Sequence, residues 1–428
     1  MKNLKTLVAH PLFRIFQNPI FLFVMWMCIT LVCCIFKLAQ GRYNNFLIFR
    51  QSYWDALAQI SLYLENLNAY LYGISFTVLI APFAVLPIPL GMILCLANTA
   101  FLYYAIRKLE PETWKFTLII WVSANDLYEA MVYQQYNVGI AAMIILAFVC
   151  IEKKKDFWAA LFIVVGTMTK IYGILGLAFI LFSKRKLHLL WGILFWSIVF
   201  FCLPMIYTSP EYVLSQYRDW LEVLIYKNNL NTFCYYTNIS LLGMVRKISQ
   251  VTTYSDLWLI IPGILLFIAP YFRINQYESK SFRLLYLSSV LLFMILFSTG
   301  TEGCGYISAM VAVGIWFVNT PTRKKTPVLN ITLLIFCIVL TSLSASGIFP
   351  KYVRVNYVSP YALKALPCVF IWLKIVWEQL TQNFVTALPA SLTETGKRSR
   401  IDIVLPCYNP YEGWEQQLIE KHKELEGM

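Results

Sequence analysis

Three carboxylates, Asp55, Glu65 and Glu302, stand in polar stretches between long apolar runs. Beside a low-dielectric surface such an acid could take a proton from a substrate hydroxyl. Arg42, Arg50 and Lys170 supply the opposite charge, and a guanidinium or ammonium in a dry site stabilises a leaving anion such as a phosphate. Gln134, Gln135 and Asn137 add amides that can bond substrate hydroxyls or, equally, pack one helix on another. Each charge also has a plainer role: solvated or ion-paired surface acids, interfacial anchors for the two Arg, a buried partner to a carbonyl or carboxylate for Lys170. Lys170 falls at membrane depth, where ionisable residues tend to be functional.

The setting of these residues is apolar. The chain has 428 residues, 59% hydrophobic and 13% charged, with thirteen Trp and a mean hydropathy of +0.64, which excludes a soluble domain. The net charge of +13 comes from short basic clusters between apolar runs, so it reads as a topology signal and not as a nucleic-acid surface. Eleven Cys lie mostly inside apolar runs without a CxxC pair or metal-ligand spacing, and no metal or cofactor is expected. His10, His188 and His422 sit by basic clusters or in a tail, which excludes a His-dependent triad on the outer face.

An all-α polytopic membrane bundle follows, with about ten full spans and two re-entrant half-helices. Lys2, Lys5 and Arg14 place the N-terminus in the cytosol, and residues 20–38 form a retained first helix without a cleavage site. Residues 42–72 are then outside. Within them Phe46, Phe49, Tyr53, Trp54, Leu57 and Ile60 recur at helical spacing, which predicts an amphipathic helix along the surface with Arg50 and Asp55 off its apolar stripe. A second span at 72–86 and a third ending at 106 bring residues 107–115 outside. Residues 116–124 are too short to cross, at roughly 14 Å, and read as a half-helix returning the polar run 125–137 to the outer face. Residues 157–183 lie between EKKK and SKRK, which should share one side, so a hairpin broken at 166–170 is expected with Lys170 near its tip. The remaining spans are 138–151, 187–206, 257–272, 282–298, 306–318, 328–346 and 362–377, the last leaving the C-terminus cytosolic. Residues 1–380 thus form the membrane domain, 381–400 a polar linker, and 401–428 a truncated fragment with one strand and a turn.

Five pieces, in this order, carry a resemblance: NNFLIFRQSYWDAL with SLY, YGISFTVLIAPFAVLP, QQYNVGIAAMIILAF, TKIYGILGLAFIL ahead of SKRK, and TEGCGYISAMVAVGIWF. The chain resembles the GT-C glycosyltransferases, and more closely glycosyltransferase family 87, whose members use polyprenyl-phosphate sugars. The resemblance implies a hexosyltransferase of the plasma (inner) membrane that builds a cell-envelope glycan. Its partners would be a polyprenyl-phosphate sugar donor, a glycan or lipid-linked acceptor on the outer face, and membrane lipids. Arg42, Arg50 and Lys170 would then bind the donor phosphate, and Asn44, Asn45, Tyr63, Gln134, Gln135 and Asn137 the substrates. The family commonly shows an acidic residue just before the loop's first Phe, where this chain has Asn44 and Asn45 ahead of Phe46. An amide cannot take up the proton as a carboxylate does, so the base passes to Glu65, Asp55 or Glu302. IDIVLPCYNP resembles the start of a GT-A family 2 glycosyltransferase, a family that includes makers of polyprenyl-phosphate sugars, and a family 2 enzyme supplying the donor is a further implied partner. A transporter or flippase for lipid-linked sugars, or an inactive partner of a separate enzyme, are the alternatives.

On sequence alone Glu65 ranks first among the acids, because it follows Tyr63 where the surface helix turns back towards the membrane. Glu65→Gln is then expected to lower sugar transfer by about 10²- to 10⁴-fold with normal membrane insertion, and Asp55→Asn to keep most activity, read as product formed per enzyme.

Overall fold

The computed structural model describes residues 14–385 apart from 64–69, 252 and 321–326, and every regular element among these is helical. Those of nine residues or more are, in chain order, α1 (Pro19–Ala39), α2 (Asn44–Leu57), α3 (Ser75–Ala84), α4 (Ile93–Leu109), α5 (Thr113–Val132), α6 (Asn137–Glu152), α7 (Asp156–Thr169) and a 3₁₀ stretch (Ile171–Phe182). There follow α8 (Lys186–Cys202), α9 (Pro210–Asn231), α10 (Leu241–Ser249), α11 (Leu257–Ile268), α12 (Lys280–Leu296), α13 (Tyr306–Asn319), α14 (Pro327–Phe336) and α15 (Leu366–Thr381).

Burial sorts these helices into layers. Every residue of α6 from Val138 to Val149 is buried, as are most of α12 and α13, and a helix with no polar face belongs in the centre. By contrast, α1 and α8 leave large apolar side chains exposed, among them Ile20 at 73% and Leu187 at 71%. Such surfaces are stable against lipid and not against water. This is an integral membrane protein.

Four helices are long and apolar enough to cross a membrane: Pro19–Ala39, Ile88–Leu109, Lys186–Ile206 and Val328–Ala345. Lys351–Val358 and Leu363–Thr381, bent by 95°, make a fifth if they form one span. Ten full crossings were expected, and helix length is the reason for the difference. The other apolar helices run 10–17 residues, and 14 residues at 1.5 Å each cover only about 21 Å of a core about 30 Å thick.

Three local expectations also change. The second span expected at 72–86 is the ten-residue α3, interrupted by Pro82. It lies along α2, where Arg50 Nε donates to the Ala84 carbonyl at 3.0 Å. Residues 107–115 do not return to the far side. The Tyr103 hydroxyl donates to the Pro19 carbonyl and Trp121 Nε1 to the Phe16 carbonyl at 3.2 Å, so this loop shares an end of the bundle with the start of α1. The half-helix expected at 116–124 is part of the unbroken 20-residue α5. Its acids do not stop it, because Asp126 and Glu129 find a buried lysine partner.

The surface helix α2 buries Phe46, Phe49, Ser52 and Ala56, while Trp54, Leu57 and Ile60 remain exposed. The buried stripe is therefore narrower than the sequence pattern indicates. The segment 157–183 reverses at Lys170, an extended residue with φ −146° and ψ 118° between α7 and the 3₁₀ stretch. Ser183 Oγ donates to Asp156 Oδ1 at 2.5 Å, which ties the two ends of this segment together. The linker at 386–400 and the fragment at 401–428 lie outside the described residues, as do His10 and His422.

Gly73 joins the loop after α2 to the end of α7: its N–H donates to the Thr169 carbonyl at 3.1 Å, and a Cβ there would lie 2.1 Å from the Met168 carbonyl oxygen. Gly73→Ala is expected to destabilise the protein by about 1–3 kcal/mol through overpacking. Gly347→Ala, with nothing within 4 Å of its Cβ position, should be near neutral. Thermal melting of both variants in detergent measures the difference.

Candidate active site

The end of α5 aims the central amides. The Gln135 N–H donates to the Ala130 carbonyl and the Gln134 N–H to the Met131 carbonyl, both at 3.2 Å. Gln134 has φ 48°, which completes a left-handed helix-terminating turn. The Gln134 side chain is used up in that turn, donating to the Val132 carbonyl at 2.7 Å. Gln135 and Asn137 are left to face inward.

Around them three other segments converge. Lys170 Nζ donates to Asn137 Oδ1 at 2.7 Å and lies 5.3 and 5.5 Å from the ring centres of Tyr72 and Tyr172. Among the described residues no carboxylate comes within ion-pair distance of Lys170. Its charge is met by one amide oxygen and two aromatic faces. The Tyr72 hydroxyl donates to Gln135 Oε1 at 3.0 Å, and Gln135 Nε2 donates to Glu302 Oε2 at 3.4 Å. Burial, reinforced by the Glu302 charge, pushes the Tyr72 phenol well above its usual range, so it keeps the proton it donates. Cys304 Sγ completes the arc, 3.3 Å from Glu302 Oε2 and 4.0 Å from Asn137 Nδ2.

Glu302 is half-buried and on its other side lines a cavity of about 610 Å³ with Glu129, Tyr133, Tyr236, Arg354 and Lys364. The loop that carries it is held by Lys364. Lys364 Nζ pairs with Glu129 Oε2 at 2.5 Å, lies 3.9 Å from Asp126 Oδ1 and donates to the Gly303 carbonyl at 3.2 Å. Ser342 Oγ donates to Asp126 Oδ2 at 2.5 Å. A Cβ at 303 would sit 2.4 Å from Glu129 Oε1, so a side chain there would push that carboxylate aside.

Of the residues singled out from the sequence, Glu302, Gln135, Asn137 and Lys170 come together here. Asn45 reaches the rim, its Nδ2 donating to the Tyr133 carbonyl at 2.6 Å. Tyr63 is buried behind the site and donates to the Tyr72 carbonyl at 2.8 Å. Asn44 and Arg42 are exposed. Asp55 accepts from Gln51 Nε2 at 2.7 Å and, with Arg50, lines a separate cleft of about 320 Å³ on α2. Glu65 lies outside the described residues.

Asp126, Glu129, Tyr72, Arg354 and Lys364 were missed. The signal for the first two was present: acids three residues apart share one helix face, and in a membrane protein that face needs a cation. The sequence model of glycosyltransferase family 87 matches residues 70–299. The chain belongs to glycosyltransferase family 87. The matched residues include Tyr72, Gln135, Asn137 and Lys170 of the site and end just before the Glu302 loop. They do not reach 401–428, and no match supports the family 2 likeness expected there. No curated protein and no solved structure matches the chain. A family 87 chain is a membrane glycosyltransferase, with a sugar donor and an acceptor as its substrates.

Replacing Lys364 by Met leaves the buried Asp126 and half-buried Glu129 carboxylates without a cation. Breaking a buried pair in this way costs about 3–5 kcal/mol, and the melting temperature of Lys364→Met in detergent should fall accordingly.

Proposed function

We propose that this family 87 chain moves a hexosyl group from a polyprenyl-phosphate carrier to a glycan or lipid-linked acceptor on the outer face of the plasma membrane. The observation that carries this reading is the position of Glu302, with its carboxylate between the 610 Å³ cavity and the amide and lysine cluster of Gln135, Asn137 and Lys170. An acceptor hydroxyl in the cavity attacks the anomeric carbon and gives its proton to Glu302. The bond from that carbon to the phosphate oxygen breaks, and polyprenyl phosphate leaves with the electron pair. Lys170 stabilises the phosphate charge, which suits a cation with no carboxylate in ion-pair distance among the described residues. Gln135, itself held by Tyr72, orients the carboxylate.

Charge distribution supports the outer placement. Arg107, Lys108 and Lys115 share an end with the start of α1, and Lys153, Lys154 and Lys155 follow the end of α6 opposite Asn137. By the positive-inside rule that end is cytosolic. The site then faces out, and both termini belong to the cytosolic side.

Purified protein in lipid, given polyprenyl-phosphate hexose and a series of glycolipid acceptors, should release polyprenyl phosphate. Glu302→Gln should lower this release by about 10²- to 10⁴-fold, as loss of a general base does, and Asp55→Asn should leave it near normal. A strict requirement for a soluble nucleotide sugar would overturn the donor assignment. Full activity in Glu302→Gln together with loss in Glu65→Gln would return the base to Glu65.

A further inference from the structure

The end of the bundle opposite Glu302 carries a second pocket, unconnected with transfer. Where the ends of α4 and α6 meet the start of α12, a cavity of about 410 Å³ is lined by Arg107, Lys108, Lys153 and Lys280, with Glu152 as the carboxylate among its described lining residues. That carboxylate is committed elsewhere: Arg283 Nε and Nη2 donate to its two oxygens at 2.6 and 2.8 Å. The acids of the adjoining loop are committed as well. Glu110 accepts from Asn319 Nδ2 at 2.6 Å, and Glu112 pairs with Lys115 at 2.9 Å.

Among the described residues the pocket cations, by contrast, form no ion pair, and Glu110 and Glu112 meet the Lys280 charge only at longer range. Arg107 is held in place by the Pro111 carbonyl at 2.8 Å and by the Phe116 ring 5.1 Å away. Lys108 lies 5.2 Å from the Tyr104 ring centre. Among the described residues neither Lys153 nor Lys280 has a carboxylate within ion-pair distance. The floor is formed by Leu109, Phe148 and Val149, all buried side chains of the core.

Uncompensated positive charge above an apolar floor, between helix ends of an integral membrane protein, matches a ligand with a phosphate head and a hydrocarbon body. We propose that this pocket binds the phosphate of an anionic membrane lipid from the leaflet on that side. A free phosphate shares the head chemistry, but it would gain nothing from the apolar floor. Basic pockets between membrane helices commonly receive such headgroups.

The test uses the full chain in a neutral detergent, with phosphatidylglycerol, cardiolipin, phosphatidylcholine and inorganic phosphate as probes. Lipid retained on the protein is counted by native mass spectrometry, and the melting temperature is followed in parallel. The anionic lipids should be retained and raise the melting temperature, with phosphatidylcholine and inorganic phosphate having little effect. The double variant Lys153→Gln/Lys280→Gln should weaken anionic-lipid binding by about tenfold or more, at roughly 1 kcal/mol per cation. Lys227→Gln, on α9, should leave it unchanged. Equal retention of phosphatidylcholine, or undiminished anionic-lipid binding in the double variant, would overturn the proposal. Inorganic phosphate matching the lipids would replace it with a free-anion site.

Discussion

Lys364 is 5% exposed and Asp126 1% exposed, and charges this deep are stable only when each is met by an opposite charge and the remaining lone pairs by hydrogen bonds. One ammonium supplies the opposite charge for two carboxylates on α5, while Ser342 bonds Asp126 Oδ2 and the Gly303 carbonyl accepts from Lys364, so that Asp126 Oδ1 is left with the lysine charge 3.9 Å away and no hydrogen bond. The requirement fixes more than a local contact. It joins α5, the Glu302 loop, the end of the α14 span and the approach to α15, so the geometry of the cavity depends on an ion pair that takes no part in the proposed chemistry.

The same rule of compensation separates the two kinds of lysine at this end of the bundle. Lys364 is neutralised by acids, so it serves as a fastener. Among the described residues Lys170 is held by an amide and two rings, with the Glu302 charge nearby but beyond ion-pair distance, so its field remains open to an incoming anion. Both are isolated cations in apolar sequence, and only their partners distinguish them.

Much of this was legible in the residues. The flanking clusters EKKK and SKRK demand a shared side, and the reversal at Lys170 follows from that demand. Gln135 and Asn137 stand out because a polar run cannot face lipid. What was not legible came from long-range pairing. The unbroken course of α5 depends on Lys364, more than two hundred residues away in sequence, and no local pattern in NDLYEAMV reveals it. The short α3 depends on its fit against α2, which hydropathy does not report. Asp55, on a surface helix, and Glu302, in a loop, are both acids between apolar runs, and their neighbours, Gln51 beside one and Gln135 beside the other, show which of them faces the amide and lysine cluster.

The two arms below Lys170 differ in residue number and in winding. Fourteen α-helical residues rise about 21 Å at 1.5 Å each, and twelve 3₁₀ residues rise about 24 Å at 2.0 Å each. The tighter winding therefore lets the shorter arm match the longer one, so that Asp156 and Ser183 meet at the base. The returning arm acts as a ruler for the height of the ammonium. Were the same twelve residues to relax into an α-helix, the arm would shorten by about 6 Å, more than twice the length of the bond to Asn137. The winding of a stretch with no polar side chain but one tyrosine thus sets the height in the bundle at which the cation is presented.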